Sequence, residues 1–204
     1  MIRDVVQLSD STERRFTRAL QLVLVGLAAV GLAWGRFEMV LTTGIALGIT
    51  LLPALLRREY GYSMKPGLVL WITVAMLLHT AGNIGLYKQF QWYDEIAHTA
   101  SAMLVAGVGY ASLRALELHS DDIDVPSEFR TVFIVVFVLA AGMFWEVLEF
   151  AFPAFVVFGI DDIVTDLVFN AVGAMLVAVW GTGYLGGLVG FFRNRLRTNS
   201  SESQ

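Results

Sequence analysis

The chain has 204 residues, of which 56% are hydrophobic and only 16% charged, with a formal net charge of -4 and a mean hydropathy of +0.66. That balance is too apolar for an ordinary water-soluble domain, and it offers no basic surface for nucleic acid. The absence of cysteine excludes disulfides and thiolate metal sites, leaving His, Asp, Glu, Asn and backbone oxygen as ligands.

Crossing ~30 Å of hydrocarbon takes about 20 apolar residues as helix. Six stretches approach that length: 19–35, 37–56, 67–87, 96–116, 131–151 and 163 to about 181. The fold class is therefore all-α, a polytopic membrane bundle of about six helices. Residues 1–18 and 193–204 form polar ends around one transmembrane domain over 19–192. Nothing in those ends can bury an apolar face.

The first stretch follows Arg14, Arg15 and Arg18, as the core of a signal peptide would. A second hydrophobic segment begins almost at once, so an anchored helix is the better reading. Small residues recur at four-residue spacing in Gly31 and Gly35, Gly44 and Gly48, Gly183 and Gly187, and Gly186 and Gly190. Such pairs let helices approach closely, within one subunit or between copies in a homo-oligomer. Pro53 falls near the end of the second helix, and Pro153 is placed to end the fifth. Residues 152–160 are nearly all apolar yet too short to cross, which predicts an interfacial or re-entrant loop, either a lipid-facing lid or an element shaping a substrate entrance.

Orientation follows from the basic residues, because cytoplasmic loops are enriched in Lys and Arg. Twelve of them alternate onto one side: Arg3, Arg14, Arg15, Arg18, Arg57, Arg58, Lys65, Arg114, Arg130, Arg193, Arg195 and Arg197. The other side has only Arg36 and Lys88. Six helices with both termini cytoplasmic satisfy the rule at every loop, and a multi-pass protein of the plasma membrane is expected. Trp34, Tyr87, Trp92 and Tyr93 fall near the predicted outer interface. The predicted cytoplasmic loop 117–130 carries five acids, a composition suited to a high-salt proteome.

Against this background a set of polar side chains stands out, because an acid at a helix centre costs roughly 2.5 to 3.5 kcal/mol. His79 and Asn83 lie one turn apart on the third helix. Asp94 and His98 open the fourth, Glu146 and Glu149 close the fifth, and Asp162, Asp166, Asn170 and Gly173 form one stripe on the sixth. The topology puts all four groups toward the outer face. Five acids there oppose two bases, so the carboxylates must share protons or bind cations. Asp94, His98, Glu146, Glu149, Asp162 and Asp166 are the candidate ligands for Mg, Mn or Zn, with His79, Asn83 and Asn170 as further polar lining. Glu146 and Asp166 are the candidate catalytic groups.

Plainer roles exist for single members. Asp94 and Asp162 stand in first turns, where acids complement the helix dipole. Glu95 and Asp161 are suited to solvent, His79 to a core hydrogen bond, and Asn170 beside Gly173 to bridging two helices. The convergence of the set is what these roles leave unexplained.

The runs Asp94-x-x-x-His98, Phe144-Trp145-Glu146-x-x-Glu149 and Asp162-x-x-x-Asp166-x-x-x-Asn170-x-x-Gly173 resemble the YjdF family of inner-membrane proteins. They are more distantly similar to the VanZ-like family associated with teicoplanin resistance. The similarity covers roughly residues 79–180. In VanZ-like proteins a Gln stands where this chain has Glu149, and no Arg precedes Asp166 here. The YjdF resemblance implies a multi-pass membrane protein and transfers no catalytic residue.

Three functions fit these observations. The first is a metal-dependent enzyme acting on a lipid-linked or envelope precursor at the outer leaflet. The second is a cation- or proton-coupled transporter, which would need a polar route onward; the inner halves offer only Thr42, Thr43, Thr50, Thr73 and Ser112. The third is a non-enzymatic binding or assembly factor. Membrane lipids are the expected surroundings, and no nucleic acid partner is expected.

Overall fold

The apolar runs become helices because a backbone without water around it must satisfy its hydrogen bonds internally. A computed structural model of the chain describes residues 8–90, 92–120, 122–151, 159–181 and 185–202, and no strand occurs among them. In chain order the helices are α1 (Asp10–Ala33), α2 (Phe37–Tyr60), α3 (Pro66–Ala81), the short α4 (Tyr87–Gln89), α5 (Trp92–Glu117), α6 (Ser127–Ala151), α7 (Ile160–Leu176) and α8 (Gly186–Glu202). A π-helical segment, Gly82–Leu86, joins α3 to α4, and a second, Val177–Gly181, extends α7. Six helices are long and apolar enough to cross a membrane: α1, α2, Pro66–Gln89, α5, Ser127–Leu148 and Ile160–Val179. These coincide with the six predicted stretches, each extended by up to about nine residues into flanking polar sequence. The predicted loop 152–160 and the break at Pro153 fall almost wholly outside the described residues.

The ends carry more helix than their polarity suggests. Ser9 caps α1 by accepting a hydrogen bond from the Thr12 amide, and Asp10 and Glu13 occupy the positive first turn. At the other end α8 runs on through Arg193 to Glu202, with Leu188 and Val189 buried.

The helices group into two compact units, Met1–Gly85 and Leu86–Gln204. In the first, α1, α2 and α3 pack against one another. Its interior is rich in threonine, and most of these hydroxyls bond back to their own helix: Thr42 Oγ1 donates to the Glu38 carbonyl at 3.1 Å, Thr73 to Val69 at 2.9 Å and Thr80 to Met76 at 2.8 Å. A polar group satisfied this way packs as a small apolar one would. The chain leaves the unit through Gly85, whose φ of 146° is strained for any residue with a Cβ.

In the second unit α5 is central, packing on α6, α7 and α8. Its buried face is nearly all alanine and glycine, which lets α7 come close. A Cβ on Gly173 would stand 2.7 Å from the Thr99 carbonyl oxygen and 2.8 Å from the Ala102 Cβ. Deeper in the unit, Ala102, Ala106, Ile134, Val138, Ala174 and Val177 from α5, α6 and the α7 end form an apolar core. The four-residue glycine pairs do not make this packing. Gly44, Gly48, Gly186 and Gly190 have nothing within 4 Å of an added Cβ, and Gly35 lies in a turn with φ of 66°. Gly183 lies outside the described residues. Gly31 is packed, against Met39 and Val40. Spacing marks which glycines share a face; it does not choose which face meets a neighbour.

The acidic loop also has a structural member. Glu117 is 6% exposed and receives Arg114 Nη1 at 3.1 Å and Arg130 Nη2 at 2.9 Å, while Arg130 also donates to the Val125 carbonyl. This clasp ties the end of α5 to the start of α6.

Gly173→Ala is expected to lower stability by about 1–3 kcal/mol through overpacking, whereas Gly44→Ala has open space and should leave it unchanged or raised; thermal unfolding in detergent compares the two. Glu117→Gln should cost about 1.5–3 kcal/mol, the range for hydrogen bonds to charged groups, read as the shift of a denaturant midpoint.

Candidate metal centre in the second unit

The site is assembled from one end of α5, α6 and α7. On α5, Asp94 and His98 share a face at i, i+4 spacing, and the ring Nε2 lies 3.4 Å from Asp94 Oδ1. Because Gly173 lets α7 approach, Asp166 reaches the same nitrogen, with Oδ2 at 3.7 Å. His98 and Asp166 are 4% and 2% exposed, and the Asp94 side chain 14%. One ligand atom from each of the three lies within 4.8 Å of the others.

Neighbouring residues fix this triad. The Tyr87 hydroxyl donates to the Asp94 carboxylate, and its ring meets Tyr93 edge-on at 5.9 Å between centroids. One turn beyond Asp166, Asn170 hydrogen-bonds the His98 side chain. The Asn170 amide packs closely on α6 at Gly142, where an added Cβ would stand 2.5 Å from its Nδ2. One turn along α6 from Gly142 stands Glu146, 5% exposed and within electrostatic range of Asp162 and Asp94. Asp162 is half-buried in the first turn of α7.

Of the predicted site residues, Asp94, His98 and Asp166 come together as one group, with Asn170 bonded to it and Glu146 and Asp162 beside it. The Glu149 side chain lies outside the described residues. His79 and Asn83 belong to the other compact unit, where Asn83 Nδ2 donates to the His79 carbonyl at 3.1 Å. Sequence reasoning passed over Tyr87, read as an interfacial aromatic, and Gly142. The signal for Gly142 was its place one turn before Glu146; the signal for Tyr87 was weak, since only the turn after Gly85 brings it back to Asp94.

The separations bear on what the site can hold. A His–carboxylate hydrogen bond runs at about 2.7–2.9 Å when charge-assisted, shorter than either contact here. Ligand atoms placed ~2.1 Å from a tetrahedral cation stand roughly 3.4 Å apart, close to both. Asp94 Oδ1 and Glu146 Oε1 are moreover buried without a hydrogen bond among the described residues. Buried carboxylate oxygens without donors are costly unless a cation or proton serves them. Two carboxylates and one imidazole, hard and borderline donors, fit Mg, Mn or Zn.

Fold and site together define a multi-pass, all-helical membrane protein with a buried Asp–His–Asp group at one end of its second unit. The chain matches the family described as "Predicted membrane protein (DUF2238)" over residues 16–187 and belongs to that family. No curated protein and no solved structure matches it.

With metal withheld by chelator, the crowded acids should repel one another. Glu146→Gln is then expected to stabilise the protein by on the order of 1 kcal/mol, seen as a higher unfolding temperature; an unchanged or lower one contradicts this arrangement.

Proposed function

We propose that Asp94, His98 and Asp166 hold a divalent cation, Mg, Mn or Zn, and that the protein is a metal-dependent enzyme acting on a lipid-linked or envelope precursor at the outer face of the plasma membrane. The observation that carries this reading is the triad itself: one nitrogen at 3.4 and 3.7 Å from two carboxylates, with an Asp94 oxygen left without a hydrogen bond. A bound divalent cation would supply positive charge to polarise a phosphoryl or carbonyl oxygen. Tyr87 orients Asp94, and Asn170 fixes the His98 ring, as outer partners of metal ligands do. Glu146 is the group suited to move a proton, being buried, beside the triad and free of hydrogen bonds at Oε1. Among its neighbours Asp162 completes an acidic rim that favours a substrate arriving with its own cation.

The outer location rests on the bias of basic residues, and the substrate class rests on the acids, which would need a metal to meet an anionic, phosphate-bearing substrate. Transport finds less support. Inward of Asn170 the described residues of the second unit form the apolar core around Ala106, Val138 and Ala174, and no polar route onward from the triad is seen among them.

Purified protein should carry about one divalent cation per chain by elemental analysis, lost in His98→Ala and Asp166→Asn. Saturating metal at about 100 times its Kd should raise stability by ~2.7 kcal/mol in wild type only. No bound metal together with no metal-dependent stabilisation would sink the reading. If metal binds but a strain expressing Glu146→Gln keeps the wild-type lipid and envelope profile, the ion is structural and the protein an assembly factor.

A further inference from the structure

The first unit has a polar cleft of its own, unrelated to the triad. It is an open cleft between α1, the end of α2 and the start of α3, with a volume of about 230 Å³. A water occupies ~30 Å³ of liquid, so a phosphate and its hydration fit. Arg14, Arg18 and Arg57 line the cleft together with Ser63 from the link between α2 and α3. The floor is Gln21 and Thr50, with Gln21 Nε2 donating to the Thr50 carbonyl and hydroxyl at 3.3 Å each.

Three features distinguish this cleft from a merely basic helix end. The first is convergence: of five arginines near these helix ends, Arg14, Arg18 and Arg57 line it, whereas Arg15 and Arg58 do not. The second is availability. Among the described residues Arg18 and Arg57 have no ion pair, and Arg14 has only an exposed one with Asp10 at 3.5 Å. Arg58, outside the cleft, is paired with Glu59 at 3.2 Å. The floor donors are already committed, since Thr50 Oγ1 bonds to the Leu47 carbonyl and Thr17 Oγ1 to Glu13. Free donor capacity therefore lies in the guanidinium groups and the Ser63 hydroxyl. The acid nearby in sequence, Glu13, is placed against Gly67 at the start of α3, 3.0 Å from an added Cβ there. The third is depth. Arg18 is the last charge before the apolar run that begins at Ala19, and Arg57 is the first charge after the run that ends at Leu56. Both stand at the boundary of hydrocarbon and headgroup, the level of lipid phosphates.

We propose that this cleft is a phosphate-binding site in which Arg14, Arg18 and Arg57 grip a phosphate-bearing anion, drawn from an anionic lipid headgroup or from free phosphate. Guanidinium forks suit the tetrahedral oxygens of phosphate, and basic pockets between membrane helices take anionic headgroups in this way.

Native mass spectrometry of the full-length protein in detergent, titrated separately with phosphatidylglycerol and phosphatidylcholine, tests the site. Wild type should retain phosphatidylglycerol over phosphatidylcholine, and Arg18→Gln/Arg57→Gln should weaken that retention by about tenfold. The matched double variant Arg15→Gln/Arg58→Gln removes the same charge outside the cleft and should bind as wild type does. Arg18→Lys/Arg57→Lys keeps the charge without the fork and should fall between the two. Competition by millimolar inorganic phosphate, with phosphate itself raising the unfolding temperature of wild type but not of Arg18→Gln/Arg57→Gln, identifies free phosphate as the source; no competition identifies the lipid. Equal loss in the two glutamine variants, or equal retention of both lipids with no effect of phosphate, overturns the proposal.

Discussion

The second unit is organised by how closely α5 and α7 approach. Gly173 leaves no room for a Cβ against the Thr99 carbonyl and Ala102, and the alanine face of α5 continues that contact inward. In lipid this intimacy substitutes for the hydrophobic drive that water would supply, because hydrocarbon outside is as apolar as the core within. The same approach carries Asp166 to His98. Packing and site are thus one event: a wider spacing would leave the imidazole with Asp94 alone and the α7 acid unserved.

The remaining polar groups show what a membrane interior demands. Threonines in the first unit return their hydroxyls to their own helices, and Glu117 receives two arginines where α5 ends. Most of these groups are closed locally, in keeping with the cost of an unserved polar atom, although Thr43 Oγ1 and Arg130 Nε are buried without a hydrogen bond among the described residues. The triad end of α5 is different. Roughly 29 Å from Glu117 along the helix at 1.5 Å per residue, carboxylates gather beside one imidazole, and the oxygens of Asp94 and Glu146 stand without donors. Carboxylate oxygens buried in this way are costly unless a donor, a proton or a cation serves them.

Much of this was readable from residue order. The six spans appear because length and apolarity are local properties, and Asp94, His98, Asp166 and Asn170 could be paired on their helices because i, i+4 spacing fixes a face. The glycine pairs have the same limit, since spacing fixes a shared face and not its neighbour. Gly44 and Gly48 share a face as truly as Asp166 and Asn170 do, but their face meets nothing within 4 Å, while Gly142 and Gly173 do the packing. Glu117 was counted with the acidic loop 117–130, since nothing in the local sequence says that Arg114 and Arg130 fold back onto it.

What the sequence determined by itself, then, was a multi-pass helical protein, its helix registers and the chemical types gathered toward one end of the helices. Apolar length and helical periodicity act within one segment and need no partner to be read. What only the tertiary structure decided was which of those groups meet. His98 stands between Asp94 and Asp166, Asn170 bonds the imidazole while Tyr87 bonds Asp94, and Arg18 and Arg57 share a cleft that Arg15 and Arg58 do not. Those choices depend on the rotation and spacing of one helix against another, set by side-chain volumes contributed from distant parts of the chain.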